Sequence, residues 1–149
     1  MKTKLNKILA FMLSVCIMLL LVSCNKEQDA EGEMTLVLAG EETLVYEVEL
    51  DGLEIKNGLI SVLDYLKSEN KLDYAETAGY LDKVGPLENN AATGEYIYIY
   101  TSVEADMDVS QYAMTVEYEG KTLTSTGVGS KDMHIEDGCV IYIGYIVWE

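Results

Sequence analysis

One histidine, His134, stands in the run "KDMHIEDG", with Asp132 and Glu136 two residues to either side. On an extended strand alternate residues share a face, so these three side chains would point one way and Met133 and Ile135 the other. Imidazole beside carboxylates suits a cation, or the lower ligand position of a cobalt ion. The same alternation equally describes a solvated polar edge that holds no ligand. A second acidic series, Glu104, Asp106 and Asp108 in "VEADMDVS", starts like a calcium loop. Counted from Glu104, the sixth residue is Val109 where glycine is needed, and the twelfth is Thr115 where glutamate is needed. A dedicated calcium loop therefore does not follow.

The other chemistry-bearing residues are tyrosines. "EYIYIYTSV" places Tyr96, Tyr98 and Tyr100 on one face and Ile97 and Ile99 on the other, while Tyr142, Tyr145 and Trp148 belong to the last strand. An aromatic row can stack on a flat ligand or a sugar and offer a hydroxyl at its tip. Cross-strand packing accounts for the row as well. The candidate ligand contacts are Tyr96, Tyr98, Tyr100, Tyr142 and His134, with the stretch Gly85–Gly94 as a loop at their rim. Catalytic groupings are missing: there is no Ser/His/Asp context, no phosphate-cradling glycine loop and no arginine to clamp an anion. Paired carboxylates arise by chance in a chain with 26 acidic residues. The expectation is a protein that is not an enzyme.

These residues need a frame, and most of it reads as β. "MTLVLAG" and "TLVYEVEL" form two strands around Glu41-Glu42, and short strand pieces lie near Tyr74 and Tyr80. "YAMTVEYEGKTLTST" is a hairpin turning at Glu119-Gly120. The run from Val140 is apolar on both faces, as a central strand should be. "NGLISVLDYLKSENKL" has the helical spacing Ile60, Leu63, Leu66, with Asn57 as its cap. The fold class expected is α+β: a mainly antiparallel β-sheet with one covering α-helix, in a single small domain.

The chain opens with Lys2, Lys4 and Lys7 before an uncharged run from Ile8 to Val22. About 20 residues span a bilayer comfortably, so this shorter run fits the apolar part of a secretory signal. Leu21-Val22-Ser23-Cys24 resembles the bacterial lipobox. That resemblance implies diacylglycerol on the Cys24 sulfur and cleavage before Cys24; a standard cleaved signal or an uncleaved anchor helix are the alternatives. Each buried CH₂ contributes about 0.8 kcal/mol, and two or more chains anchor where one holds marginally. Residues 1–24 are thus read as a lipoprotein signal peptide, 25–33 as a polar tether and 34–149 as the folded domain. Past Cys24, seven lysines face 26 acidic residues, a formal charge of 7 − 26 = −19. Nucleic acid is not a partner for such a surface, and the lipid must supply the membrane attachment. With Cys16 in the signal and Cys24 acylated, Cys139 is left as a free thiol and no disulfide forms within the mature chain.

In order, "NGLISVLDYLK", "AGYLDKVGPLEN", "GEYIYIYTS" and "GVGSKDMHIEDGCVIYIGYI" resemble the transcobalamin-like C-terminal domain of exported bacterial proteins, over roughly residues 34–149. The most specific part is Gly127-Val128-Gly129, Met133-His134-Ile135 and Glu136-Asp137-Gly138 before the last strand. The resemblance implies a β-rich domain with one helix. In the eukaryotic cobalamin carriers that domain forms part of a corrinoid pocket, with a large helical domain supplying much of the rest. "EYIYIYTS" departs from the family, which commonly has a tryptophan in this strand. The resulting expectation is an exported lipoprotein, anchored to the outer face of the bacterial cytoplasmic membrane. There it would act as a non-catalytic small-ligand binding module, with cobalamin or another corrinoid as ligand and a transporter component as partner. The alternative is a protein–protein interaction module of the cell envelope.

Overall fold

A computed structural model describes residues 28–147. The elements run β1 (Gln28–Asp29), β2 (Glu33–Ala39), β3 (Thr43–Glu49), β4 (Glu54–Ile55), helix α1 (Gly58–Ser68), β5 (Tyr74–Thr77), β6 (Tyr80–Val84), β7 (Leu87–Glu88), β8 (Glu95–Thr101), a 3₁₀ turn at Glu104–Asp106, β9 (Thr115–Tyr118), β10 (Lys121–Ser125) and β11 (Val140–Val147). Cys16, Cys24 and Trp148 lie outside the described residues. Part of the segment read as tether is folded, because Gln28 and Asp29 pair with Ile55 and Glu54.

Six strands make the main sheet, in the order β3-β2-β11-β8-β10-β9. The expectation of an α+β fold with a mainly antiparallel sheet is corrected here: the chain is mostly β, and the main sheet is mixed. β2 and β11 run parallel at its centre, Thr35 to Leu38 against Val140 to Ile143. Hairpin logic cannot see this pairing, since it joins segments about a hundred residues apart. Its signature is nonetheless in the composition. Leu36, Val37 and Leu38 on β2, and Val140, Ile141 and Ile143 on β11, are buried on both faces, as parallel central strands require. The local hairpins are as expected. Glu119 and Gly120 have φ of 48° and 77°, the left-handed pair of a two-residue turn whose twist matches its flanking strands.

Helix α1 buries Leu59, Ile60, Val62, Leu63 and Leu66 in one cluster with Leu36, Leu38, Ile141 and Ile143. Each such fully buried side chain contributes roughly 1.5–3 kcal/mol. The helix start differs from expectation. Asn57 makes no side-chain cap; instead Ser61 Oγ accepts the Lys56 and Asn57 N–H groups at 3.1 and 2.9 Å. The Leu59 N–H donates to Ser130 C=O at 2.9 Å. Gly58, at φ +49°, comes so close that a Cβ there would lie 2.7 Å from the Met133 carbonyl oxygen. The helix is thereby fixed to the segment after β10.

The opposite face of the sheet carries a smaller cluster, Val37, Leu123 and Val140, under Tyr100, Tyr118 and Tyr142. A three-stranded antiparallel sheet, β5-β6-β7, lies beside β8. It includes residues expected to be loop: Leu87 is fully buried. Both apolar clusters are built from residues 30–145, so this segment carries its own core.

Candidate functional site

Strand β8 positions the site because its two edges differ. Along one edge it pairs with β11 over its whole length, Glu95 to Thr101 against Val147 to Ile141. Along the other, β10 joins it only at Tyr100 and Thr101. Glu95 exchanges backbone hydrogen bonds with Asn90 at 2.8 and 3.1 Å, so the edge left without a pairing strand is Tyr96 to Ile99. Beside it lies a cleft of about 360 Å³, walled by Gly79, Tyr80 and Leu81 of the β5–β6 hairpin and by Thr126, Val128, Gly129 and Ser130 after β10. Tyr96, Tyr98 and Ile146 border it from the outer face of the sheet, and Ile97 and Ile99 from the inner.

The walls are tied together by hydrogen bonds. Ser130 Oγ donates to Gly79 C=O at 2.5 Å, and Lys131 Nζ pairs with Glu76 at 2.8 Å. That lysine, with the Gly79 N–H, holds the Glu76 carboxyl below its ordinary range. Asn89 spans the gap: Oδ1 accepts the Ile97 N–H at 2.7 Å and Nδ2 donates to Leu81 C=O at 3.0 Å. Thr126 Oγ1 is engaged with Asp106 C=O and with the Val128 backbone. Every polar side chain of the lining is thus committed to the protein except the three phenols. Tyr80, Tyr96 and Tyr98 have no hydrogen-bond partner among the described residues. Tyr80 is 78 % exposed. No charged residue lines the cleft, in a chain of net charge −16.

The predicted site residues separate into three places. Tyr96 and Tyr98 are in the cleft. Tyr100 and Tyr142 are not; they extend a ladder across the outer face. Ring centroids are 5.6 Å apart for Tyr98–Tyr100, 6.0 Å for Tyr100–Tyr142 and 6.1 Å for Tyr118–Tyr142, at 65°, 79° and 58°. Rings so tilted satisfy one another edge to face and form no flat stacking platform. Burial, then the neighbouring Tyr98 and Tyr142, raises the Tyr100 hydroxyl above its ordinary pKa. The Gly85–Gly94 stretch contributes Asn89 to the cleft, while Pro86 and Leu87 border a different depression with Glu41, Glu42 and Glu95.

His134 stands apart from both. Its partner is neither Asp132 nor Glu136 but Asp106, a residue with no exposure at all. The Asp106 carboxylate accepts the His134 N–H and shares a proton position with Nδ1, each at 2.6 Å. The Asp106 C=O accepts the Gly127 N–H at 2.8 Å and Thr126 Oγ1 at 3.2 Å. Asp106 is thus the post that holds the loop 126–134 forming one wall of the cleft. The imidazole is 55 % exposed. Among the described residues no three His, Cys, Asp or Glu side chains gather to hold a metal. Cys139 is buried, and burial pushes its thiol pKa up, against nucleophilic use.

Sequence reasoning missed Tyr80, Asn89, Thr126, Val128 and Ser130 as site residues. The glycines of Gly127-Val128-Gly129 were a signal, since they mark where a chain turns closely past another; a Cβ on Gly127 would lie 3.2 Å from Asp108 Cα.

No protein-family model matches this chain, and no curated protein sequence matches it. Solved structures do share its fold. A candidate metal-binding protein from Ruminococcus gnavus ATCC 29149 superposes with a TM-score of 0.51 at 14% identity, over 80% of this chain and all of that one. Haptocorrin in complex with Cbi superposes with a TM-score of 0.54 at 12% identity, over 86% of this chain and 28% of that one. At such identities the likeness is one of fold, and it agrees with the transcobalamin-like architecture expected from the sequence.

Proposed function

We propose that this chain is a non-catalytic binding module for a small ligand. It would be exported and held at the outer face of the cytoplasmic membrane by lipid on Cys24, passing its ligand to a transporter component. The observation that carries the reading is the cleft at the open edge of β8: apolar, aromatic and uncharged in an otherwise acidic molecule. About 360 Å³ lies within the range of ligand sites, toward its lower end. A corrinoid is the ligand class favoured by the shared fold with haptocorrin. It is larger than the cleft, which would take one edge of it and leave the rest to a second body.

Titration of hydroxocobalamin and cobinamide into residues 25–149, followed by absorbance and calorimetry, tests this. Saturable binding is expected, weakened roughly tenfold by Tyr98→Ala, equivalent to about 1.4 kcal/mol, and unchanged by Tyr142→Ala. An absorbance shift lost in His134→Ala alone would move the site to cobalt ligation by that imidazole. Absence of heat with both corrinoids would end the corrinoid reading. A protein-interaction module then becomes the better account, and the exposed Leu44 and Val45 on the edge strand β3 are where a partner would dock.

A further inference from the structure

We propose that the open edge of β8 reads a neutral amide group on the ligand, held between Ile97 C=O and Ile99 N–H. The inference rests on the cleft being the ligand site and adds what the ligand must present there. In the antiparallel pairing with β11, the even residues of β8 turn their backbone groups toward β11; Ser102 N–H, next in that series, bonds Val140 C=O at 3.0 Å. The odd residues turn theirs the other way. Ile97 N–H meets Asn89 Oδ1, and Ile99 C=O accepts the Thr126 N–H at 3.0 Å. Between those two bonds lie Ile97 C=O and Ile99 N–H, on the stretch where no strand pairs with β8.

Both faces of β8 line the same cleft, Tyr96 and Tyr98 from one and Ile97 and Ile99 from the other. One space can touch both faces of a strand where the strand's edge is its floor. That floor offers one acceptor and one donor, the pair that a neighbouring strand would engage through its own N–H and C=O. A ligand amide supplies the same two groups; an ester lacks the donor, and a carboxylate lacks the donor and brings a charge. No lysine lines the cleft to compensate an anion, and no carboxylate to pair with a cation. Asn89, Thr126 and Ser130 are already engaged, which leaves the backbone pair and the phenols to do the reading.

The probes are benzamide, methyl benzoate and sodium benzoate, three flat rings of similar size, titrated into ¹⁵N-labelled residues 25–149. Benzamide is expected to shift the Ile99 and Thr126 amide resonances saturably and to slow Ile99 amide exchange. It should bind roughly fivefold or more tighter than the ester, the scale of one hydrogen bond, with benzoate weaker still. Equal affinities, preference for benzoate, an unmoved Ile99 resonance or no binding of any probe would overturn the proposal. If the ester shifts the neighbours of Tyr98 as well as benzamide does, the cleft remains a ligand site without amide selection. If benzamide binds as expected and corrinoids do not, the amide reading stands and the corrinoid reading falls.

Discussion

Asp106 shows how much one buried carboxylate organises. Its side chain takes two hydrogen bonds from His134 and its carbonyl two from the cleft wall. Removing a buried partner leaves donors unsatisfied, which costs about 1–3 kcal/mol apiece. Asp106→Ala is therefore expected to lose roughly 2–4 kcal/mol in urea denaturation. His134→Ala should lose less, because its backbone N–H still reaches the carboxylate. The thiol of Cys139 gives a second check: a disulfide reagent at neutral pH should label it in denaturant and leave it untouched in the folded chain. The sequence offered His134 the wrong neighbours. Alternation reports residues two apart, whereas the partner that matters is 28 positions away.

At the scale of elements, the hairpins and the helix were legible because their signals are local: Glu119-Gly120 for a turn, Ile60, Leu63 and Leu66 for a buried stripe. The parallel junction of β2 and β11 was not, since nothing within a short window ties residue 35 to residue 140. The cleft was half legible for the same reason. Tyr96 and Tyr98 could be read from alternation, but the opposing wall arrives from two distant segments. Ile141, buried on the central strand, should cost about 2–5 kcal/mol on replacement by alanine. Gly58→Ala tests the seat of the helix. A left-handed non-glycine residue costs about 1–2 kcal/mol, and the approach to the Met133 carbonyl adds to it. A shared loss of stability and of ligand binding is expected, since the same loop forms the cleft wall.

For the whole molecule, a charge of −16 makes self-repulsion a standing cost of compactness. Added salt should raise the thermal midpoint by screening it. Acid acts in two opposed ways. Protonating carboxylates relieves repulsion, but the Glu76–Lys131 brace, whose carboxyl lies below its ordinary range, stabilises above the unfolded carboxylate pKa. That contribution is lost as pH falls through the lowered value. The stability difference between the native chain and Glu76→Gln is therefore expected to be present at neutral pH and to vanish in strong acid.

The parallel alignment of β2 with β11 also decides how the molecule answers a pull. Tension between Glu33 and Val147 runs along two neighbouring strands in opposite senses, so the ladder from Thr35–Val140 to Leu38–Ile143 is sheared as a unit. Its hydrogen bonds share the load instead of parting one after another, as they would in a hairpin opened from its ends. A chain held at one end by a lipid and drawn at the other by a partner would resist as a clamp, with the mechanical strength concentrated at the centre of the sheet.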